Sequence, residues 1–193
     1  MKRKCQIAGL MIMTALVSGG CATTFNDVSK NLKPNNSPAS IMAISDPHYY
    51  SPTLTDYGAK FTEIINNSDG KDVKNSPQII AAFVKEVEIK QPDAVVISGD
   101  LTLNGEQASH VEMAEYLKQI EAAGIPVLVI PGNHDINSTQ AYAISDTEIK
   151  KTASISPQSF AQIYGSFGYD KAISRDGSSL SYLAALTNDI WLP

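Results

Sequence analysis

The 193-residue sequence holds only two cysteines, three histidines and one tryptophan, and its 15 basic residues are outnumbered by 20 acidic ones. Each scarcity excludes something. The cysteines, Cys5 and Cys21, both lie near the N-terminus, so no disulfide framework can staple a fold and the chain must stand on a core. The absence of thiolates further along argues against an iron–sulfur cluster or a structural zinc site. A net charge of −5 makes a general nucleic-acid-binding surface a poor expectation. No internal repeat is visible. What is present, 43% hydrophobic and 18% charged residues, is the composition of a globular chain with room for one domain.

The N-terminus poses a separate problem. "MKRK" is basic, "IAGLMIMTALV" is an apolar run too short to span a bilayer comfortably, and "SGG" leads to Cys21. Residues 1–20 read as an export signal. Cys21 directly after small residues resembles a bacterial lipobox, which implies a lipid on Cys21, although Ser18 stands where such signals carry Leu. Lys2, Arg3 and Lys4 leave with the signal, so 12 of the 15 basic residues remain against 20 acidic ones, net −8. Residues 21–39 are polar and read as a tether. The expected location is the extracytoplasmic side of a bacterial cell membrane, lipid-anchored, with plain secretion as the alternative.

From residue 40 the pattern becomes regular. "SIMAIS" (40–45), "DAVVIS" (93–98) and "IPVLVI" (125–130) are short apolar runs that suit strands buried on both faces. Between the first two lie a polar excursion with a short helix near 57–65 and then "SPQIIAAFVKEVEIKQP". There Ser76 reads as a cap, Pro77 occupies the first turn, Ile79, Ile80, Phe83, Val84 and Val87 recur at helical spacing, and Pro92 ends the pattern. "GEQASHVEMAEYLKQIEAAG" reads as a helix stopped at Gly124. Alternating strands and helices predict an α/β fold with a parallel sheet. Residues 138–193 are less regular, with a short helix in "SPQSFAQIYGSFG" and strands in "SLSYLAAL" and "DIWLP".

The polar chemistry collects where the apolar runs stop. The first ends at Asp46 and His48 ("DPH"), the second at Asp100 ("GD"), the third at Asn133, His134 and Asp135 ("GNHD"). In a parallel sheet these ends share one edge, where ligands bind. Carboxylates, an amide oxygen and imidazoles suit a hard or borderline divalent metal. Asp46 and His48, two apart, point the same way if the segment is extended. Gly99 and Gly132 permit sharp turns. Asn104 and Gly105 can face the same point. His110, on the second long helix, reads as a structural or exposed histidine, and Tyr49 and Tyr50 either line the cleft or pack under the excursion. Alone, each cluster is an ordinary loop, turn or helix cap; together and in order they form a constellation.

That constellation resembles the signature of the calcineurin-like metallophosphoesterases: Asp-x-His, then Gly-Asp, then Gly-Asn-His-Asp or -Glu. The resemblance implies an α/β/β/α sandwich and two divalent ions (Mn, Fe or Zn) that activate water against a phosphoester substrate. It assigns Asp46 and His48 to the first ion, Asp100 to both, and Asn133 to the second. His134 would polarise the phosphoryl group or protonate the leaving oxygen as the catalytic histidine, with Asp135 orienting its ring. Family members carry further histidines after the Asn-His motif. Here the three histidines are His48, His110 and His134. The expectation is therefore a domain over 40–193 that is incomplete at its C-terminus, holds mainly the first sheet and its helices, and hydrolyses phosphoesters weakly. Two alternatives stand beside it: an inactive remnant serving as a binding module, and a nucleotidase-like hydrolase.

Overall fold

A computed structural model describes residues 38–67 and 70–185, and the backbone of 191–192. The expected signal (1–20), Cys21 and the tether up to residue 37 lie outside the described residues.

Three strands, β1 (Ile41–Ile44), β2 (Ala94–Ser98) and β3 (Val127–Ile130), form a parallel sheet in the order β1-β2-β3. Ile41 pairs with Ala94 and Val95 with Val127, so the three carboxyl ends finish side by side. The crossovers carry α1 (Ala59–Asn66) and α2 (Ser76–Lys90) before β2, and α3 (Gln107–Ala122) before β3. Ile80, Val84 and Val87 of α2 pack with Met113, Leu117 and Ile120 of α3 over Val95, Ile97, Val127 and Val129. Helical spacing on one side and strand alternation on the other thus meet in one core.

The expectation that every strand is buried on both faces fails for β1, whose residues alternate between exposed and half-buried, whereas β2 and β3 are largely buried up to their last residues, Ser98 and Ile130. Ile41 and Ile130 on the flanking strands are each 40% exposed. Among the described residues each flanking strand has a single neighbour in this sheet, and Ile41, Ala43, Val96, Leu128 and Ile130 line a shallow apolar hollow on the face away from α2 and α3. Tyr182 covers one end of that face, its hydroxyl donating to the Val129 carbonyl at 2.9 Å.

The helix ends follow their residues with one exception. Gln91 closes α2 in the left-handed region (φ 48°), and Gly124 follows α3 at φ 86°. Ser76, however, is the first residue of α2 rather than its cap, a position that Asn75 occupies. The Ser76 hydroxyl instead accepts the Tyr50 amide at 3.1 Å, fastening the excursion to the helix.

The excursion has a small core of its own: Tyr50, Leu54, Phe61, Ile65, Val73, Leu103 and Ile144. Ile144 comes from a hairpin of β4 (Tyr142–Ile144) and β5 (Ile149–Lys151), which the sequence pattern does not announce. The later segment runs through α4 (Pro157–Ile163), a π-type turn at Gly165–Tyr169, and the antiparallel strands β6 (Ser174–Arg175), β7 (Tyr182–Ala185) and β8 (Trp191–Leu192).

Candidate metal centre

Beyond β1 and β2 the backbone continues to pair while it kinks. The Asp46 amide donates to the Gly99 carbonyl at 3.1 Å, and the His48 amide to the Asp100 carbonyl at 3.0 Å. Asp46, His48 and Asp100 all have positive φ, at 54°, 42° and 49°. The left-handed region costs a side-chain-bearing residue roughly 1–2 kcal/mol, and such strain clusters at working sites. The segment from Asp46 to His48 is therefore not extended. The two side chains converge through left-handed kinks, not through strand alternation.

Gly99 and Gly132 are where the second and third loops touch. A Cβ on Gly99 would lie 2.9 Å from Gly132 Cα, and one on Gly132 would overlap the Asp100 carboxylate and amide. Only hydrogen fits between these loops, and their closeness delivers Asp100 to the other ligands.

The ligand atoms of Asp46, His48 and Asp100 lie within 4.8 Å of one another. His48 Nε2 is 3.9 Å from Asp46 Oδ1 and 3.9 Å from Asp100 Oδ2. Two donors bound to one divalent ion at ordinary bond lengths stand about 3–4 Å apart, so both spacings from His48 suit a shared ion. The other ring nitrogen of His48 agrees: Nδ1 faces the Thr102 carbonyl at 3.4 Å, which can only accept. That fixes the proton on Nδ1 and turns the Nε2 lone pair toward the carboxylates, as for a metal-ligating histidine. Burial, and then the Lys71 cation, lower the His48 pKa and favour the neutral ring a metal needs, while Asp100 works in the opposite direction.

His134 joins the same cluster. Its amide donates to Asp100 Oδ1 at 3.0 Å, and its ring stands edge-on to His48 with centroids 5.1 Å apart. Its Nδ1 donates to the Leu103 carbonyl at 2.8 Å, with Asn104 Oδ1 at 3.1 Å. Among the described residues Nε2 makes no hydrogen bond. Asn104 thus does face the site, as its position after Asp100 suggested. Asn133 is exposed on the same turn, between Gly132 and His134.

Asp135 does not orient the His134 ring. It is fully buried, and its carboxylate accepts from the amides of Leu101 (3.1 Å), Thr102 (2.9 Å) and Gly132 (2.8 Å) and from the Thr102 hydroxyl (2.9 Å). These donors exhaust its lone pairs and tie the second loop to the third. His110, fully buried, completes the support from α3. Its Nε2 donates to the Asp135 carbonyl at 2.8 Å, which leaves Nδ1 to accept from the Tyr164 hydroxyl at 2.9 Å. Burial lowers its pKa, which favours the neutral ring. Its part is structural. Tyr49 also packs in the core, with its hydroxyl donating to Glu112 at 2.8 Å.

Two residues that sequence reasoning did not single out stand nearby. Lys71 lines a hollow of about 290 Å³ that it shares with Asp46 and His48. Glu106, 1% exposed, accepts the Asn104 amide at 3.1 Å. Burial pushes its carboxyl up to about 7; the Asp135 charge adds to this, while the Asn104 amide opposes it. No sequence pattern marks either one, because each acts through a loop packing that only tertiary structure supplies.

A parallel α/β sheet with carboxylates and imidazoles gathered at its carboxyl edge defines a metal-binding α/β protein whose ligands sit on loops. The calcineurin-like phosphoesterase family model matches residues 39–189, and the chain belongs to that family. No match was found among curated proteins.

Proposed function

We propose that the protein hydrolyses phosphoesters by attack of water in line on phosphorus, using two divalent ions. Asp46, His48 and Asp100 would hold the first ion, and Asp100 and Asn133 the second. The observation that carries this reading is the convergence of three ligand atoms within 4.8 Å beside a histidine whose ring is already fixed. Divalent ions bound there acidify water and neutralise charge on the phosphoryl oxygens. The residues do the rest. Asp100 spends Oδ1 on the His134 amide and aims Oδ2 at His48 Nε2, so one carboxylate sets the spacing of both histidines. The Leu103 carbonyl holds His134 Nδ1, which points Nε2 at the reacting group. As the oxygen of water bonds to phosphorus, the bond to the ester oxygen breaks. That oxygen takes the proton from His134 Nε2 and leaves as the alcohol, and the proton shed by the attacking water returns to the ring.

Family membership supports the reaction class, and the donor set supports the metal. Turnover of 4-nitrophenyl phosphate and of its bis-ester by the full chain with manganese tests the proposal. The expected result is metal-dependent release of nitrophenol that an Asp100→Asn variant abolishes. Release that is indifferent to chelator would refute it, and elemental analysis of the loaded protein counts the ions.

We also propose that the protein is exported and held at the outer face of a bacterial membrane by a lipid on Cys21. The basic start, the short apolar run and the small residues before Cys21 support this. Labelled palmitate should be incorporated by the wild type and lost in Cys21→Ser; equal labelling of both would refute it.

A further inference from the structure

A cavity of about 370 Å³ lies between the excursion, the loop after β2 and the β4–β5 hairpin. That is within the range of small-molecule sites, about 300–1,000 Å³. Tyr50, Leu103, Tyr142 and Ile149 give it an apolar wall, and Asn104, Glu106 and Gln140 add polar groups.

Two features join it to the metal centre. The wall residues Leu103 and Asn104 are the ones that hold His134 Nδ1, so the cavity lies directly behind the ring that serves the leaving oxygen. Lys71 lines both this cavity and the hollow that contains Asp46 and His48. Among the described residues Lys71 forms no ion pair. A partly buried cation on the rim shared by both hollows is suited to pair with an anionic oxygen.

We propose that this cavity is the subsite for the organic group of the phosphoester, a compact and largely apolar aryl or base-sized alcohol, with Lys71 at the shared rim pairing with a non-bridging phosphoryl oxygen. The inference rests on the phosphoesterase reading. The organic group of an ester held at the metal centre would reach the cavity along the rim at Lys71, the residue common to both hollows, toward Tyr50 and Tyr142. The wall offers ring faces and aliphatic surface to a flat group, and Asn104, Glu106 and Gln140 offer hydrogen bonds to one polar substituent. Glu106 strengthens the match, because a buried carboxyl that holds its proton near neutrality can donate as well as accept.

The test separates binding from catalysis. Phenylphosphonate and methylphosphonate, whose P–C bonds are not hydrolysed, are titrated calorimetrically into the manganese-loaded full chain. Burying a ring should favour phenylphosphonate by about tenfold or more. Ile149 is 49% exposed, so an Ile149→Trp substitution can fill the cavity from the surface without disturbing the core. It should erase that preference, and Lys71→Gln should weaken both phosphonates alike, by about fivefold. Equal affinities for the two phosphonates in the wild type, or a preference that survives Ile149→Trp, would overturn the subsite. Unchanged affinities in Lys71→Gln would overturn the lysine's part. A preserved preference with no ester hydrolysis would instead sink the catalytic reading and leave the subsite standing.

Discussion

Replacing Glu106 by Gln should stabilise the protein at pH 8 and do almost nothing at pH 4.5. The carboxyl is 1% exposed, and burial raises its pKa from 4.5 to about 7. Below pH 4.5 the folded and unfolded chains both carry the proton, and the contribution to stability is fully present. Between 4.5 and 7 only the folded chain keeps it, so unfolding releases a proton and stability falls as pH rises. Above 7 the loss is complete. A window of about 2.5 pH units at about 1.36 kcal/mol each amounts to roughly 3 kcal/mol. That is a sizeable share of a typical total of about 5–15 kcal/mol. Gln keeps an oxygen for the Asn104 amide and has no charge to desolvate. Urea unfolding followed by circular dichroism, in chelator so that the metal ligands titrate alike in both proteins, reads the difference at each pH. The Gln variant should gain on the wild type by roughly 3 kcal/mol between pH 4.5 and 8. A difference that stays constant over that range would mean Glu106 is ionised in the fold throughout, and the burial argument would be wrong.

Three further outcomes follow from the metal centre. Asp100→Asn should weaken manganese binding by at least about tenfold in calorimetry, because one carboxylate spaces both histidines; unaltered affinity would remove Asp100 from the ligand set. His134→Ala should lower kcat by about 10²–10⁴-fold with manganese stoichiometry unchanged, and a loss confined to KM would assign the ring to binding instead. Asp135→Ala strips the acceptor from three amides and a hydroxyl and should cost at least roughly 3 kcal/mol in urea unfolding; a cost under about 1 kcal/mol would show that water replaces the carboxylate.

The sequence by itself determined the three parallel strands, the helices between them, and the carboxylate, amide and imidazole residues at the strand ends, because apolar periodicity and the placing of polar residues at strand ends are local signals. The clusters at Asp46–His48, Asp100 and Asn133–Asp135 were legible in this way, and so was Asn104. Tertiary structure alone decided how they meet. Asp46 and His48 converge through left-handed backbone that spacing cannot reveal, and Gly99 is needed because Gly132 lies against it. Asp135, which a one-dimensional reading pairs with its neighbour His134, spends its carboxylate on Leu101 and Thr102 of a different loop and on the Gly132 amide of its own. The Leu103 carbonyl that fixes the His134 ring carries no side-chain signature at all. Lys71 and Glu106 belong to loops whose roles appear only once the excursion folds back against β4. Local pattern states which chemistry a chain owns; loop packing between distant segments decides which atoms face each other, because hydrogen bonds and burial act through space and not along the chain.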